Sequence, residues 1–219
     1  YAPDARQALF THLTGAGIAP DRIEAAGLCS RPEGGGAPYD RFRGRIMFPI
    51  RDGRGRCIAF GARAVAEGMQ PKYLNSPQTE LFDKGRTLYN LAAARTAMGK
   101  GTPLIVAEGY MDVIALVAAG FEGAVAPLGT AITEEQLQLI WRLSDEPVVA
   151  LDGDAAGLRA GQRLADLALP MLAAGRGLRF ALLPAGEDPD DVLRAGGAAA
   201  MQALIDKAVP MARLLWERE

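Results

Sequence analysis

From Pro103 onward the sequence alternates short apolar runs with amphipathic or alanine-rich stretches, and this alternation limits the fold more than any other feature. Residues 104–107, 124–126, 147–151 and 178–183 read as strands, and residues 111–119, 133–143 and 155 to about 174 read as helices, the last with a kink at Pro170. Thr133 and Gln136 have capping-box spacing. A further helix starts at Pro189, and residues 198–216 are helical with an interruption at Pro210. Strands that are apolar without alternation are buried on both faces, and helical connections between them build a parallel sheet. The expected fold class is α/β, a mostly parallel sheet with flanking helices.

The first part of the chain has a different texture. Residues 5–13 and 20–26 read as short helices, and residues 33–38 as a glycine-rich loop. Two runs, 46–50 and 57–60, face each other across the turn Asp52-Gly53-Arg54-Gly55 as a hairpin, and residues 71–82 read as irregular. The chain is therefore expected to divide into a smaller mixed α+β basic subdomain at 1–100, the sheet domain at 101–195, and a partial helical segment at 196–219. Trp141 and Trp216 fall on helical patterns as packing residues.

Charge follows the same division. Residues 41–86 hold ten Lys and Arg against four acids, whereas residues 108–191 hold fourteen acids against five Arg. Such a chain suits a polyanion on one part and cations on the other, although two solvated surfaces of opposite sign have the same composition. At 49% hydrophobic and 23% charged residues the chain can bury a core. No apolar run approaches the roughly 18 residues of a membrane helix. Cys29 and Cys57 read as reduced thiols, and with His12 as the one histidine they cannot complete a zinc site. The expected location is cytoplasmic. Tyr1 in place of a start Met points to an excised piece.

The acids sit where chemistry would need them. Glu108 follows the first strand of the alternating region, Asp152 and Asp154 follow the third, and Asp188 and Asp190 come soon after the fourth. In a parallel sheet these positions share the carboxyl edge, where open α/β sheets bind ligands. Clustered carboxylates repel unless a cation sits among them, and oxygen donors select a hard ion such as Mg²⁺ or Mn²⁺. Plainer roles stay open for single residues. Asp154 suits a helix N-cap, residues 187–191 a charged helix start with Pro189 in the first turn, and Asp112 a helix start one turn after Glu108.

These blocks carry a resemblance. Leu104-Ile105-Val106-Ala107-Glu108-Gly109-Tyr110-Met111-Asp112, Ala150-Leu151-Asp152-Gly153-Asp154-Ala155-Ala156-Gly157 and Gly186-Glu187-Asp188-Pro189-Asp190 resemble the Toprim domain shared by bacterial primases, topoisomerases and some nucleases. Upstream, Asp40-Arg41-Phe42-Arg43-Gly44-Arg45-Ile46-Met47-Phe48-Pro49-Ile50, Ala59-Phe60-Gly61-Ala62-Arg63, Pro71-Lys72-Tyr73-Leu74-Asn75-Ser76-Pro77 and Phe82-Asp83-Lys84-Gly85-Arg86-Thr87-Leu88-Tyr89 resemble the basic segment of the bacterial DNA primase polymerase core.

The resemblance implies synthesis of short RNA primers on a single-stranded DNA template from ribonucleoside triphosphates, with Mg²⁺ or Mn²⁺. It implies Glu108, Asp152 and Asp154 as catalytic metal ligands, with Glu108 as ligand or general base. Asp112, Asp188 and Asp190 complete the implied metal set. Arg43, Arg45, Arg63, Lys72, Asn75 and Lys84 are the implied contacts to nucleotide and DNA phosphate. A zinc-binding domain before Tyr1 and a domain contacting the replicative helicase after Glu219 are implied but lie outside the 219 residues. Three rival classes keep the same acids: a topoisomerase, which needs a nucleophilic Tyr in a separate domain, a nuclease, and a binding module without catalysis. The basic blocks favour the primase.

Overall fold

The computed structural model describes residues 1–129 and 131–216. The chain forms two compact units, Tyr1–Lys84 and Gly85–Glu219.

The first unit has two short helices, α1 (Ala8–Gly15) and α2 (Pro20–Ala25), then a two-residue pair of strands, β1 (Cys29–Ser30) and β2 (Tyr39–Asp40). The expected helix over 5–13 starts three residues late because its cap is not local. Asp40, only 3% exposed, accepts the N–H groups of Leu9 and Phe10 at 2.7 and 2.9 Å. Those are the first-turn donors that a helix leaves without partners. The hairpin forms as expected from β3 (Arg45–Arg51) and β4 (Cys57–Ala64), with Phe48 opposite Gly61. Its turn is tied by Asp52 Oδ1, which accepts the N–H of Arg54 and of Arg56, each at 2.9 Å. The stretch expected to be irregular contains a third strand, β5 (Tyr73–Asn75), antiparallel to β4.

The second unit is a five-stranded sheet in the order β10-β9-β8-β6-β7. Its strands are β6 (Ile105–Val106), β7 (Ala124–Val125), β8 (Val148–Leu151), β9 (Arg179–Leu182) and β10 (Val209–Pro210). β6 to β9 pair in parallel, and β10 adds an antiparallel edge. The helices are α3 (Leu91–Met98), α4 (Tyr110–Ala118), α5 (Glu134–Leu143), α6 (Ala155–Ala168), α7 (Pro189–Asp206) and α8 (Met211–Trp216). Residues alternate across the sheet. Val106, Val149, Leu151 and Phe180 join Leu137, Ile140, Trp141 and Leu164 on one face. Ile105, Val148, Ala150 and Ala181 join Val113, Leu116, Met201 and Ile205 on the other. Burial on both faces is why these strands are apolar throughout.

Several expectations change. Residues 85–100, grouped by the sequence with the basic part, make contacts in the second unit: Tyr89 N–H donates to the Ala126 carbonyl, and α3 packs on β7. Pro170 ends α6 in a 3₁₀ turn (Leu169–Met171) rather than kinking it. The two helical pieces expected from 189 and 198 do form within α7, divided at Gly197, whose backbone (φ 67°) is not helical. The interruption expected at Pro210 is present as the short strand β10. Trp141 is buried and donates its indole N–H to the Gly177 carbonyl at 2.9 Å, but Trp216 is 84% exposed. No helix among the described residues is long and apolar enough to cross a membrane.

Candidate active site

β6 is the first strand of its sheet, with β7 on one side and β8 on the other, so the chain reverses direction across the sheet at the β6/β8 crevice. Ligands of open α/β sheets bind at such a switch point, beyond the carboxyl ends of the strands. Val106 lies opposite Val149, and two residues further on Glu108 reaches across to accept the backbone N–H of Asp152 through Oε1 at 3.3 Å. Register thus brings together acids 44 residues apart.

Asp152 has the unusual environment. Its Oδ1 is buried and has no hydrogen-bond partner among the described residues. Burial, then the neighbouring charges of Glu108, Asp112, Asp188 and Asp154, push its carboxyl up from 3.8 to about 7. Asp112 is pushed up to about 6, first by burial, then by Asp188, Glu108 and Asp190, while the Gly109 N–H opposes the rise. That N–H donates to Asp112 Oδ2 at 2.9 Å, so Asp112 does hold the start of α4 as well as facing the other acids. The charge neighbours of these two residues are the acids singled out from sequence.

Asp154 caps α6, accepting the N–H groups of Ala156 and Gly157 through Oδ1 at 2.8 and 2.7 Å. Asp188 caps α7, accepting the Asp191 N–H at 2.9 Å, and Asp191 returns the contact to the Asp188 N–H at 3.5 Å. Asp190 pairs with Arg194 at the surface of α7. Gly153 knits the two loops: its N–H donates to the Glu187 carbonyl at 3.0 Å, and its carbonyl accepts the Gly186 N–H at 2.8 Å. A Cβ at position 153 would stand 1.7 Å from the Pro184 carbonyl oxygen, so only glycine fits between the two acids. The resulting cleft, about 170 Å³, is lined by Asp152, Asp154, Glu187, Asp188 and Asp191. Glu187 and Asp191 are additions to the sequence set, and position within the Gly186–Asp191 run was their only signal.

Among the described residues no three acidic, His or Cys side chains already stand in a metal-holding arrangement. The donor chemistry nevertheless fits a hard divalent cation. The side chains are carboxylates, one buried oxygen lacks a partner among the described residues, and two carboxyls are pushed up first by burial and then by neighbouring charge.

The basic candidates lie in the first unit, apart from one another in role. Arg43 stacks over Tyr39, its Cζ 5.7 Å from the ring centroid, and Arg6 approaches the same ring at 5.6 Å. Arg63 and Lys72 both lie over the exposed Tyr73 ring, at 5.9 and 5.7 Å. Arg45 is buried and turned onto backbone carbonyls. Asn75 offers its carbonyl to Arg41, whose guanidinium burial holds below its ordinary value. Lys84 is exposed at the end of the unit. Arg6, Arg41, Tyr39 and Tyr73 were not among the sequence candidates. Basic residues next to tyrosines, as in Lys72-Tyr73, were the available signal.

The parallel sheet with an acid after its first strand and an Asp-Gly-Asp turn after its third defines a Toprim-type domain, and the Toprim family model matches residues 102–180. Residues 1–95 match the family described as DNA primase catalytic core, N-terminal domain. The DNA primase of Pseudomonas aeruginosa is 44% identical over 219 residues, covering 100% of this chain and 33% of that protein. The crystal structure of a DNA primase domain from Pseudomonas aeruginosa superposes with a TM-score of 0.93 at 44% identity, covering 99% of this chain and 68% of that one. A primase catalytic domain bound to ssDNA superposes with a TM-score of 0.89 at 41% identity, covering 100% and 68%. The chain belongs to the bacterial DNA primase family. It spans about a third of the length of the curated relatives it matches.

Proposed function

We propose that this chain carries the nucleotidyl-transfer centre of a bacterial primase, which makes short RNA primers on single-stranded DNA from ribonucleoside triphosphates. The observation that carries the reading is the Glu108–Asp152 contact at the switch point, with the Asp152 Oδ1 left without a protein partner. Glu108, Asp152 and Asp154 would hold Mg²⁺ or Mn²⁺, with Asp112, Asp188 and Asp190 around them. A bound divalent ion supplies charge neutralisation and a lower pKa for the attacking hydroxyl.

The residues of the chain divide the remaining work. Glu108 accepts the Asp152 N–H through Oε1, which leaves its other oxygen as the donor to the ion in this reading. Asp154 keeps one oxygen on the α6 N-terminus, which holds its side chain in place relative to β8. Arg43, Arg63 and Lys72 present charge over Tyr39 and Tyr73, a combination suited to a phosphodiester with stacked bases. Asn75 and Lys84 complete the proposed contacts, whereas Arg45, buried on backbone carbonyls, does not join them. In the whole protein the replicative helicase would be a partner, and the protein would act in the cytoplasm.

The solved relative bound to ssDNA supports a nucleic-acid template. The test is primer synthesis by the full-length protein on single-stranded template with Mg²⁺. Template-dependent RNA that disappears in E108Q supports the reading. Strand cutting without RNA synthesis would replace it with a nuclease.

A further inference from the structure

We propose that Arg41 and Arg45 are positioning residues, two guanidinium clasps that hold the backbone from Pro71 to Asn75 so that Lys72 and Asn75 can meet their ligand. The functional part of this proposal rests on the reading above; the clasp itself rests on the geometry alone.

Arg45 is 4% exposed, although arginine is among the residues least often buried. Its Nη1 donates to the Pro71 carbonyl at 2.8 Å and approaches the Lys72 carbonyl at 3.5 Å. Arg41 is partly buried and donates Nε and Nη2 to the Asn75 carbonyl at 3.1 and 2.8 Å. The two side chains therefore grip the segment at both ends. Neither forms an ion pair among the described residues, so backbone carbonyl dipoles, with the Phe42 ring 6.0 Å from Arg41 Cζ, compensate the desolvated charge.

The segment needs the grip. β5 is three residues long and pairs with β4 alone, at the edge of its sheet. Further ties include the Ala64 N–H to the Lys72 carbonyl at 2.9 Å, the Ser76 N–H to the Phe60 carbonyl at 2.8 Å and the Phe60 N–H to Ser76 Oγ at 3.0 Å. With its guanidinium turned inward, Arg45 has almost no surface to offer a phosphate. The basic segment thus contains two kinds of arginine: Arg43 and Arg63 stand over tyrosines, and Arg41 and Arg45 fix the frame.

R41K and R45K in the full chain test this, because lysine keeps the charge and loses the fork. Amide hydrogen exchange over residues 72–76 should quicken about tenfold in each variant, the loss of one charged hydrogen bond, while the β3–β4 hairpin stays protected. Affinity for an oligothymidylate probe should fall about tenfold with its salt dependence unchanged. Wild-type exchange over 72–76 would overturn the proposal. So would wild-type binding by both lysine variants together with R41M lowering the salt slope by about 0.7, the signature of one lost single-strand phosphate contact. If R45K does not fold, the less buried R41K decides. If the unaltered chain does not bind the probe, the proposed function fails, and exchange alone decides the clasp.

Discussion

Glu108 accepts the backbone N–H of Asp152 through Oε1 at 3.3 Å, so a main-chain contact sets the two acids side by side. One oxygen of Glu108 is thereby anchored, and Asp152 Oδ1 is buried with no hydrogen-bond partner among the described residues. Burial and the surrounding acids push the Asp152 carboxyl up, which disfavours its charge at that edge unless a cation balances it.

Stability should therefore fall as pH rises. Asp152 and Asp112 are pushed up to about 7 and about 6 from an ordinary 3.8, so the folded chain holds these protons more tightly than the unfolded chain. Their contribution is fully present below the unfolded value and is lost as pH rises through 6 to 7. Thermal melts of the metal-free chain should show a lower midpoint at pH 8 than at pH 5.5, with Mg²⁺ restoring more at pH 8. A midpoint that rises over this interval would contradict the charge crowding.

Asp152→Asn separates fold from chemistry. It keeps the side-chain shape and removes the charge. The metal-free variant should melt above the unaltered chain at pH 8, while primer synthesis by the full-length protein drops by about 10²–10³-fold or more.

At Asp154 a pair of substitutions distinguishes cap from ligand. Alanine removes the acceptor for Ala156 and Gly157 and should cost about 1 kcal/mol in urea denaturation. Asparagine keeps the cap and should leave stability nearly unchanged. Both should lose primer synthesis if the charge holds the metal.

Gly153→Ala tests the loop weave. Its Cβ would meet the Pro184 carbonyl at 1.7 Å, so the β8–α6 and β9–α7 loops must part. The expected cost is about 1–3 kcal/mol, read in denaturant melts, with loss of activity as Asp152 and Asp154 move relative to Asp188.

Much of this site was legible because its signals are local. Apolar runs bounded by acids marked β6, β8 and β9, and Thr133 with Gln136 marked α5, where the two side chains do exchange contacts with each other's backbone N–H at 3.1 Å. Parallel pairing then makes every strand-end acid an edge residue. What was illegible depends on contacts far apart in sequence. Asp40 caps a helix 31 residues upstream, and nothing near either residue signals it. β5 and β10 are too short for a periodic pattern and are held by pairing. Arg45 looks like any other member of a basic run, since a count of charges does not say which way a guanidinium turns.

The most direct test is Mn²⁺ binding to the full chain, followed by the loss of the free-ion paramagnetic signal at pH 7.5. The predicted result is saturable binding that weakens sharply in E108Q and in D152N, with protons released as the ion enters. Undiminished binding in both variants would contradict a cation site at the Glu108–Asp152 edge.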